Sequence, residues 1–230
     1  MRLDARLQAV ADFVPPKGNC RVADIGTDHA YLPVALVASG RASYVIASDK
    51  NAGPCDAARH TVEELGMGAS IDVRRGDGFS SVHPGEVNTV CIAGMGGTLI
   101  CDILAAGKNI LQKVETMVFQ PMNAVPALRA WLYAHGWYLS DEALAEADGR
   151  LYEILQAKKG RMTMPCNALL TIGPVLWQKK PPLLKRHIEQ IYQRYHRVMK
   201  GMESSGNARN STKYKEVTAK IEELEAYRSW

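Results

Sequence analysis

The run Val22-Ala23-Asp24-Ile25-Gly26-Thr27-Asp28-His29-Ala30-Tyr31 decides the fold. An apolar stretch of strand length stops at Gly26, and an apolar helical pattern starts at Tyr31, so the segment reads as strand, tight turn, helix. Gly26 permits a sharp turn and a close approach of ligand to backbone. A dinucleotide fold would continue as G-x-G-x-x-G/A, leaving the helix N-terminus open to a pyrophosphate. Here Asp28 holds the place of the second glycine. Its carboxylate repels a pyrophosphate and removes the open backbone that would bind one. On its own, D-x-G-x-D also suits an Asp28 that merely caps a helix in an unrelated α/β domain.

Outward from this unit the chain alternates. Leu3, Leu7, Val10 and Val14 predict an amphipathic helix, ended by Pro15-Pro16-Lys17-Gly18. Short apolar runs at 20–25, 43–48, 70–74, 87–92 and 115–120 read as strands buried on both faces of a parallel sheet. Helical patterns at 31–39, 53–66, 97–106 and 124–135 separate them, which is the mark of an open α/β sheet. Two further strand-like runs, 137–146 and 150–157, flank Ala147-Asp148-Gly149, a hairpin signal. An α/β sheet finished by an antiparallel hairpin is the layout of class I methyltransferases, and as fold analogy it carries a prior only.

From about residue 165 the rhythm changes. Leu184, Ile188, Ile191, Tyr195, Val198 and Met202 follow a/d heptad spacing. Ser204-Ser205-Gly206-Asn207 breaks the pattern, and Tyr214, Val217, Ile221 and Leu224 resume it. Two helices of roughly 20 and 15 residues would form a hairpin about 25–30 Å long, pairing with itself or docking on residues 166–180. The expected organisation is a Rossmann-like sheet domain over 1–160 and a helical coiled-coil domain over 161–230.

Three acids end three successive strands. Asp24 and Asp28 suit a cation, and S-adenosylmethionine carries two, a sulfonium and an ammonium, with no phosphate. Asp49 closes the second strand, where a carboxylate holds the ribose hydroxyls of an adenosine; an N-cap is the alternative. Gly76-Asp77-Gly78 follows the third, where Asp77 could accept from an adenine amino group, although Asp-Gly is also a common turn. Ile92-Ala93-Gly94-Met95-Gly96-Gly97 gives side-chain-poor backbone on which a flat ring can lie. Phe119-Gln120-Pro121-Met122-Asn123 offers amides that could read a base edge, or a turn and helix cap. His29 could relay a proton for Asp28, or serve as a cap or core residue. The other histidines lack metal-ligand spacing, and hydrolase, zincin and P-loop motifs are missing, so no metal is expected.

Composition supports a folded chain: 47% of its 230 residues are hydrophobic and 23% charged, which excludes a disordered polypeptide. Five cysteines without a C-x-x-C pair read as reduced thiols of a cytoplasmic protein. Asp4 and Arg6 interrupt the apolar run a signal peptide needs, and the uncharged stretch 162–178 is too polar to span a membrane. Residues 175–230 carry 12 Lys/Arg against 6 Asp/Glu, while the preceding residues are slightly acidic. A basic tail on a near-neutral body suits a polyanionic partner, or is a solvated helical face.

With these residues in view, the chain resembles the bacterial tRNA (adenine-N1) methyltransferases that modify adenine 22. The likeness is carried by Arg6-Leu7, residues 22–33, Ala47-Ser48-Asp49, Gly76-Asp77-Gly78, residues 92–97, Gln120-Pro121-Met122, residues 128–132 and Leu151-Tyr152-Glu153-Ile154. It is dense over 1–160; beyond 165 only the helical layout matches. The resemblance implies S-adenosylmethionine as cofactor and tRNA as partner, with oligomerisation through the coil possible and not required. It implies a cofactor site of Asp24, Gly26, Thr27, Asp28, Ser48, Asp49, Gly76, Asp77, Gly78, Ala93, Gly94, Met95 and Gly96. Asp28, His29 and Asn123 are the catalytic candidates. Arg6, Lys179, Lys180, Lys185, Arg186, Arg194, Arg197 and Lys200 are the tRNA-binding ones. Two other readings stay open: a small-molecule methyltransferase whose coil is a dimer seam, and a coiled-coil adaptor with a vestigial pocket.

Overall fold

The computed structural model describes residues 3–16, 19–204 and 211–229 of the chain. Seven strands form one sheet: β1 (Arg21–Ile25), β2 (Tyr44–Asp49), β3 (Ile71–Arg75), β4 (Thr89–Met95), β5 (Thr116–Pro121), β6 (Trp137–Ala147) and β7 (Arg150–Lys159). Their order is β3-β2-β1-β4-β5-β7-β6. The first five are parallel, and β7 runs antiparallel to both β5 and β6. The order reverses between β1 and β4, which opens a crevice at their carboxyl ends.

Local chemistry explains the elements. α1 (Ala5–Phe13) starts where the Asp4 carboxylate accepts from Leu7 N–H at 2.7 Å, a cap of about 1 kcal/mol. Its last carbonyls, Asp12 and Val14, accept from the Arg41 guanidinium. Val10 and Val14 are buried, while Leu3 and Leu7 are half-buried. α2 (Tyr31–Ala38), α3 (Ala52–Glu64), α4 (Gly97–Ala106) and α6 (Val125–Ala134) are the helices between strands. α5 (Lys108–Leu111), a single turn after Gly107, had no periodic signal in so short a segment. The hairpin turns on Asp148 (φ 50°) and Gly149 (φ 72°), both left-handed as a two-residue primed turn requires. All six residues of β5 are buried, in keeping with a strand covered on both faces.

One strand end differs from the sequence expectation. Instead of yielding to a loop at Ile92, β4 continues to Met95 through an irregularity between Ala93 and Met95. Gly94 takes φ 75° there, and Met95 still pairs with β5 because its carbonyl accepts from Met122 N–H at 2.8 Å. The bulge re-aims the backbone toward the crevice.

The chain divides into two units, Met1–Thr163 and Met164–Trp230. The second holds α7 (Asn167–Ile172), α8 (Pro174–Lys179), α9 (Leu184–Glu203) and α10 (Thr212–Arg228). α9 and α10 are antiparallel: Tyr192 donates to Glu225, Arg228 pairs with Glu189, and Tyr214 donates to Glu203. The expected unbroken heptad seam is not what forms. Leu184, Ile188 and Ile191 are buried, but Tyr195 is half-buried and Val198 is exposed. α7 takes part of the apolar load, with His187 Nε2 of α9 3.0 Å from the Ile172 carbonyl oxygen. The unit is therefore an α9–α10 pair joined from Glu189 to Glu203, with α7 packed against the start of α9. The breaks read at Lys17-Gly18 and at Ser205-Gly206-Asn207 lie outside the described residues.

Candidate active site

The turn after β1 is the centre of the site. Gly26, Asp28 and Ala30 all take left-handed backbone, with φ of 80°, 52° and 57°. Such a conformation costs a non-glycine residue on the order of 1–2 kcal/mol, and strain of this kind gathers where a ligand is held. Asp28 is not the N-cap of α2; Ala30 is, without a side-chain bond. The turn is tied to β2 instead. The N–H groups of Gly26 and Thr27 donate to the Ser48 carbonyl, and that of Asp28 makes a long bond, 3.4 Å, to the Asp49 carboxylate.

Gly26 borders two cavities. One, of about 220 Å³, is lined by Arg6, Leu7, Asp24, Thr27, Asp28, His29, Tyr31, Leu32, Ala93 and Gly94 as well. The other, of about 140 Å³, takes in Asp49, Gly76, Asp77, Gly78, Met95, Leu99 and Ile103. A wider groove of about 620 Å³ shares Asp77, Gly78, Leu99 and Ile103 with it. A Cβ on Gly26 would lie 2.2 Å from Met95 Cε, so only glycine leaves this junction open as it stands. Leu99 and Ile103 had no site signal beyond an exposed leucine four residues from an isoleucine on one helix.

Two carboxylates line each cavity, Asp24 and Asp28 with Arg6 in the first and Asp49 and Asp77 with Lys50 in the second. Asp24 is 4% exposed, and its carboxyl is pushed up to about 7. Burial is the main cause; Thr27 partly offsets it and the Asp49 charge adds to it. A buried acid held near neutrality is lowered again by any cation that arrives. Asp28 is exposed, and its Oδ1 lies 3.7 Å from His29 Nε2. The His29 ring in turn stacks on Tyr31 at 5.3 Å.

Arg6 brings the N-terminal helix into the site. Its Nη1 donates to Gln120 Oε1 at 2.8 Å, Nη2 lies 3.6 Å from Asp4, and the guanidinium sits 5.8 Å from the Tyr152 ring. Gln120 Oε1 also accepts from Gly94 N–H at 3.2 Å, while Nε2 donates to the Pro121 carbonyl. Gln120 is fully buried. Its amide joins α1, the β4 bulge and β5, so it does not read a base edge.

Three other expected positions fall outside both cavities. Ser48 is fully buried with its hydroxyl 2.6 Å from that of Ser81; its part is the carbonyl that anchors the turn. Gly96 lines neither cavity, because the Asn123 side chain lies against it, with Oδ1 2.9 Å from where a Cβ would be. Asn123 itself is exposed and lines neither. The expected cations other than Arg6 all belong to the helical unit. Lys179 ends α8, the Lys180 ammonium lies over the Trp177 ring, and Lys185, Arg186, Arg194, Arg197 and Lys200 are exposed on α9. At 100° per residue, Arg186, Arg197 and Lys200 share a stripe opposite the buried Leu184, Ile188 and Ile191.

Residues 22–226 match the profile of the tRNA (adenine(22)-N(1))-methyltransferase family. The Bacillus subtilis (strain 168) tRNA (adenine(22)-N(1))-methyltransferase is 35% identical over 230 residues, covering 97% of this chain and 96% of that protein. This chain belongs to that family. Among solved structures, Streptococcus pneumoniae Sp1610, a putative tRNA (m1A22) methyltransferase in complex with S-adenosyl-L-methionine, superposes with TM-score 0.83 at 31% identity, covering 99% of this chain and 100% of that one. The M. capricolum protein in complex with S-adenosyl-homocysteine superposes with TM-score 0.84 at 26% identity, covering 100% and 99%. The tRNA (adenine(22)-N(1))-methyltransferase fold here is the same seven-stranded sheet with C-terminal helices. Its pocket chemistry agrees with a phosphate-free cation: Asp24, Asp28, Asp49 and Asp77 surround a glycine junction.

Proposed function

We infer that this chain transfers a methyl group from S-adenosylmethionine to N1 of adenine 22 in tRNA. The observation that carries the reading is the carboxylate-lined Gly26 junction, with Asp24, Asp28, Asp49 and Asp77 on the two cavities it borders, within a chain of this family. S-adenosylmethionine, when bound, supplies a methyl group on a cationic sulfur. Asp24 and the Gly94 backbone would hold its charged end, Asp49 its ribose hydroxyls, and Asp77 its adenine, against the apolar wall of Leu99 and Ile103.

Ring nitrogen 1 of adenine has a free lone pair, so no strong base is needed to begin. Its Watson–Crick partner must be absent, which requires the base to leave the tRNA core. The alkylated ring is cationic. The Asp28 carboxylate, exposed at the mouth of the cavity, would stabilise that charge and accept from the exocyclic amine. His29 would orient it, and Arg6 would meet the nucleotide backbone. The α9 stripe would supply phosphate contacts, and the five free thiols agree with a cytoplasmic setting.

Unmodified tRNA incubated with the protein and a labelled methyl donor should yield 1-methyladenosine at position 22 by nucleoside mass spectrometry. Asp28→Ala and Asp28→Asn should lower turnover by about a hundredfold or more with an unchanged melting temperature. Near wild-type turnover in either removes Asp28 from the mechanism, and unmodified tRNA with the wild type removes the reading itself.

A further inference from the structure

A second pocket lies at the other end of the sheet. Trp137 opens β6 and pairs with Lys159, the last residue of β7, while Lys158 pairs with Thr116 at the start of β5. This is the amino edge of the parallel strands, about 20 Å of strand away from the carboxylate-lined cavities. The pocket there measures about 400 Å³. Buried Leu104, Leu111 and Trp137 and half-buried Trp131 form its apolar lining, and Lys108 and Lys159 are exposed at its rim.

Its chemistry is the reverse of the first site. The lining holds two tryptophans, two lysines and a histidine, and no carboxylate among the described residues. His135 stacks on Trp131 with centroids 4.0 Å apart and planes 13° off parallel, and its Nδ1 lies 2.7 Å from the Trp131 carbonyl oxygen. The exposed imidazole thus extends a flat stack to the pocket mouth. Lys159 donates to the Gln112 carbonyl and lies 5.6 Å from the centre of the Trp137 ring. Burial and the neighbouring Lys113 lower its basicity, with Glu115 opposing them. An anion beside Lys159 would offset both the burial and that repulsion.

Flat rings with cations at their rim are what a nucleotide recognises: the base stacks and the phosphate pairs. We propose that this pocket seats an unpaired nucleotide of the RNA substrate, its base on the Trp131–His135 stack and its phosphate at Lys108 and Lys159. The proposal rests on the tRNA reading above and adds a second contact remote from the reacting base. A single RNA can reach both ends of so small a sheet.

Ultraviolet crosslinking of the full-length protein to unmodified tRNA, mapped by mass spectrometry, should place a crosslinked nucleotide on Trp131, His135 or Trp137. In a tRNA titration, Lys108→Ala/Lys159→Ala should raise Kd at least about fivefold, with cofactor affinity by calorimetry unchanged. If that variant does not fold, the crosslink on the wild-type protein decides. Wild-type protein that methylates adenine 22 but gives no crosslink there, with the double variant binding as tightly, overturns the pocket and leaves the activity standing. Displacement of the crosslink by micromolar adenosine monophosphate marks a free-nucleotide site and also overturns it. Absence of tRNA binding by the wild type sinks both readings together.

Discussion

Asp24 sits near the end of a central strand, where the sheet buries it. Its carboxyl lies at about 7 in the folded chain against an ordinary value near 4. The native state therefore keeps a proton that the unfolded chain releases, so stability falls as pH rises from about 4 to 7 and stays lower above, by a few kcal/mol. Asp24→Asn should remove this penalty. In thermal melts of the ligand-free protein it should gain roughly 10 °C at pH 8 and only a small part of that at pH 4.5. It should also lose at least about tenfold in S-adenosylmethionine affinity, since an amide cannot answer a cation. In the wild type, a bound cation favours the ionised form, so binding below pH 7 should release a proton. Calorimetry in buffers of different ionisation enthalpy would detect it, with affinity rising to about pH 7 and then levelling. A flat profile would mean that Asp24 does not face the charge.

At the scale of elements, two contacts hold the site's frame. α4 begins against the β5–α6 loop: Gly97 N–H donates to the Asn123 carbonyl, and a Cβ on Gly97 would lie 2.7 and 2.8 Å from the Ala124 and Asn123 carbonyl oxygens. Backbone cannot swing aside as a methionine end can. Gly97→Ala should therefore cost on the order of 2 kcal/mol in urea denaturation, whereas Gly53→Ala, in open space in the first turn of α3, should add about 0.5 kcal/mol. The second contact is Arg129 of α6, fully buried and paired with Glu142 of β6 (2.7 Å) and Glu153 of β7 (2.6 Å). Burial works against its charge, and the two carboxylates more than compensate, raising the guanidinium above its ordinary value. Arg129→Ala strands a buried carboxylate and should cost about 3–5 kcal/mol. Replacing Arg129, Glu142 and Glu153 together by apolar residues of similar volume should cost far less, which chemical denaturation of the two variants would separate.

For the molecule as a whole, charge is divided by unit: acids crowd the sheet's carboxyl edge, and the excess of cations lies beyond residue 175. If α9 meets phosphates, log Kd for tRNA depends linearly on log salt concentration. Neutralising Arg197 and Lys200 should flatten that slope by about one to two, with cofactor affinity untouched. An unchanged slope would leave the stripe as a solvated face. The sheet was legible in the sequence because burial on both faces writes continuous apolar runs, and the turn residues between them write their own backbone demands. The heptad in α9 was legible too, yet misled, because periodicity marks which side is apolar and not what covers it. By itself the sequence determined the alternation of elements, the hairpin at Asp148-Gly149 and the acids at three strand ends, all of which depend on near neighbours. Only the tertiary structure decided that Asp24 is buried, that Gln120 is a strut joining Arg6 to Gly94, and that Trp131 and Trp137 share a pocket with Lys108 and Lys159. Desolvation and contact across a hundred residues are properties of the folded arrangement, and no local pattern encodes them.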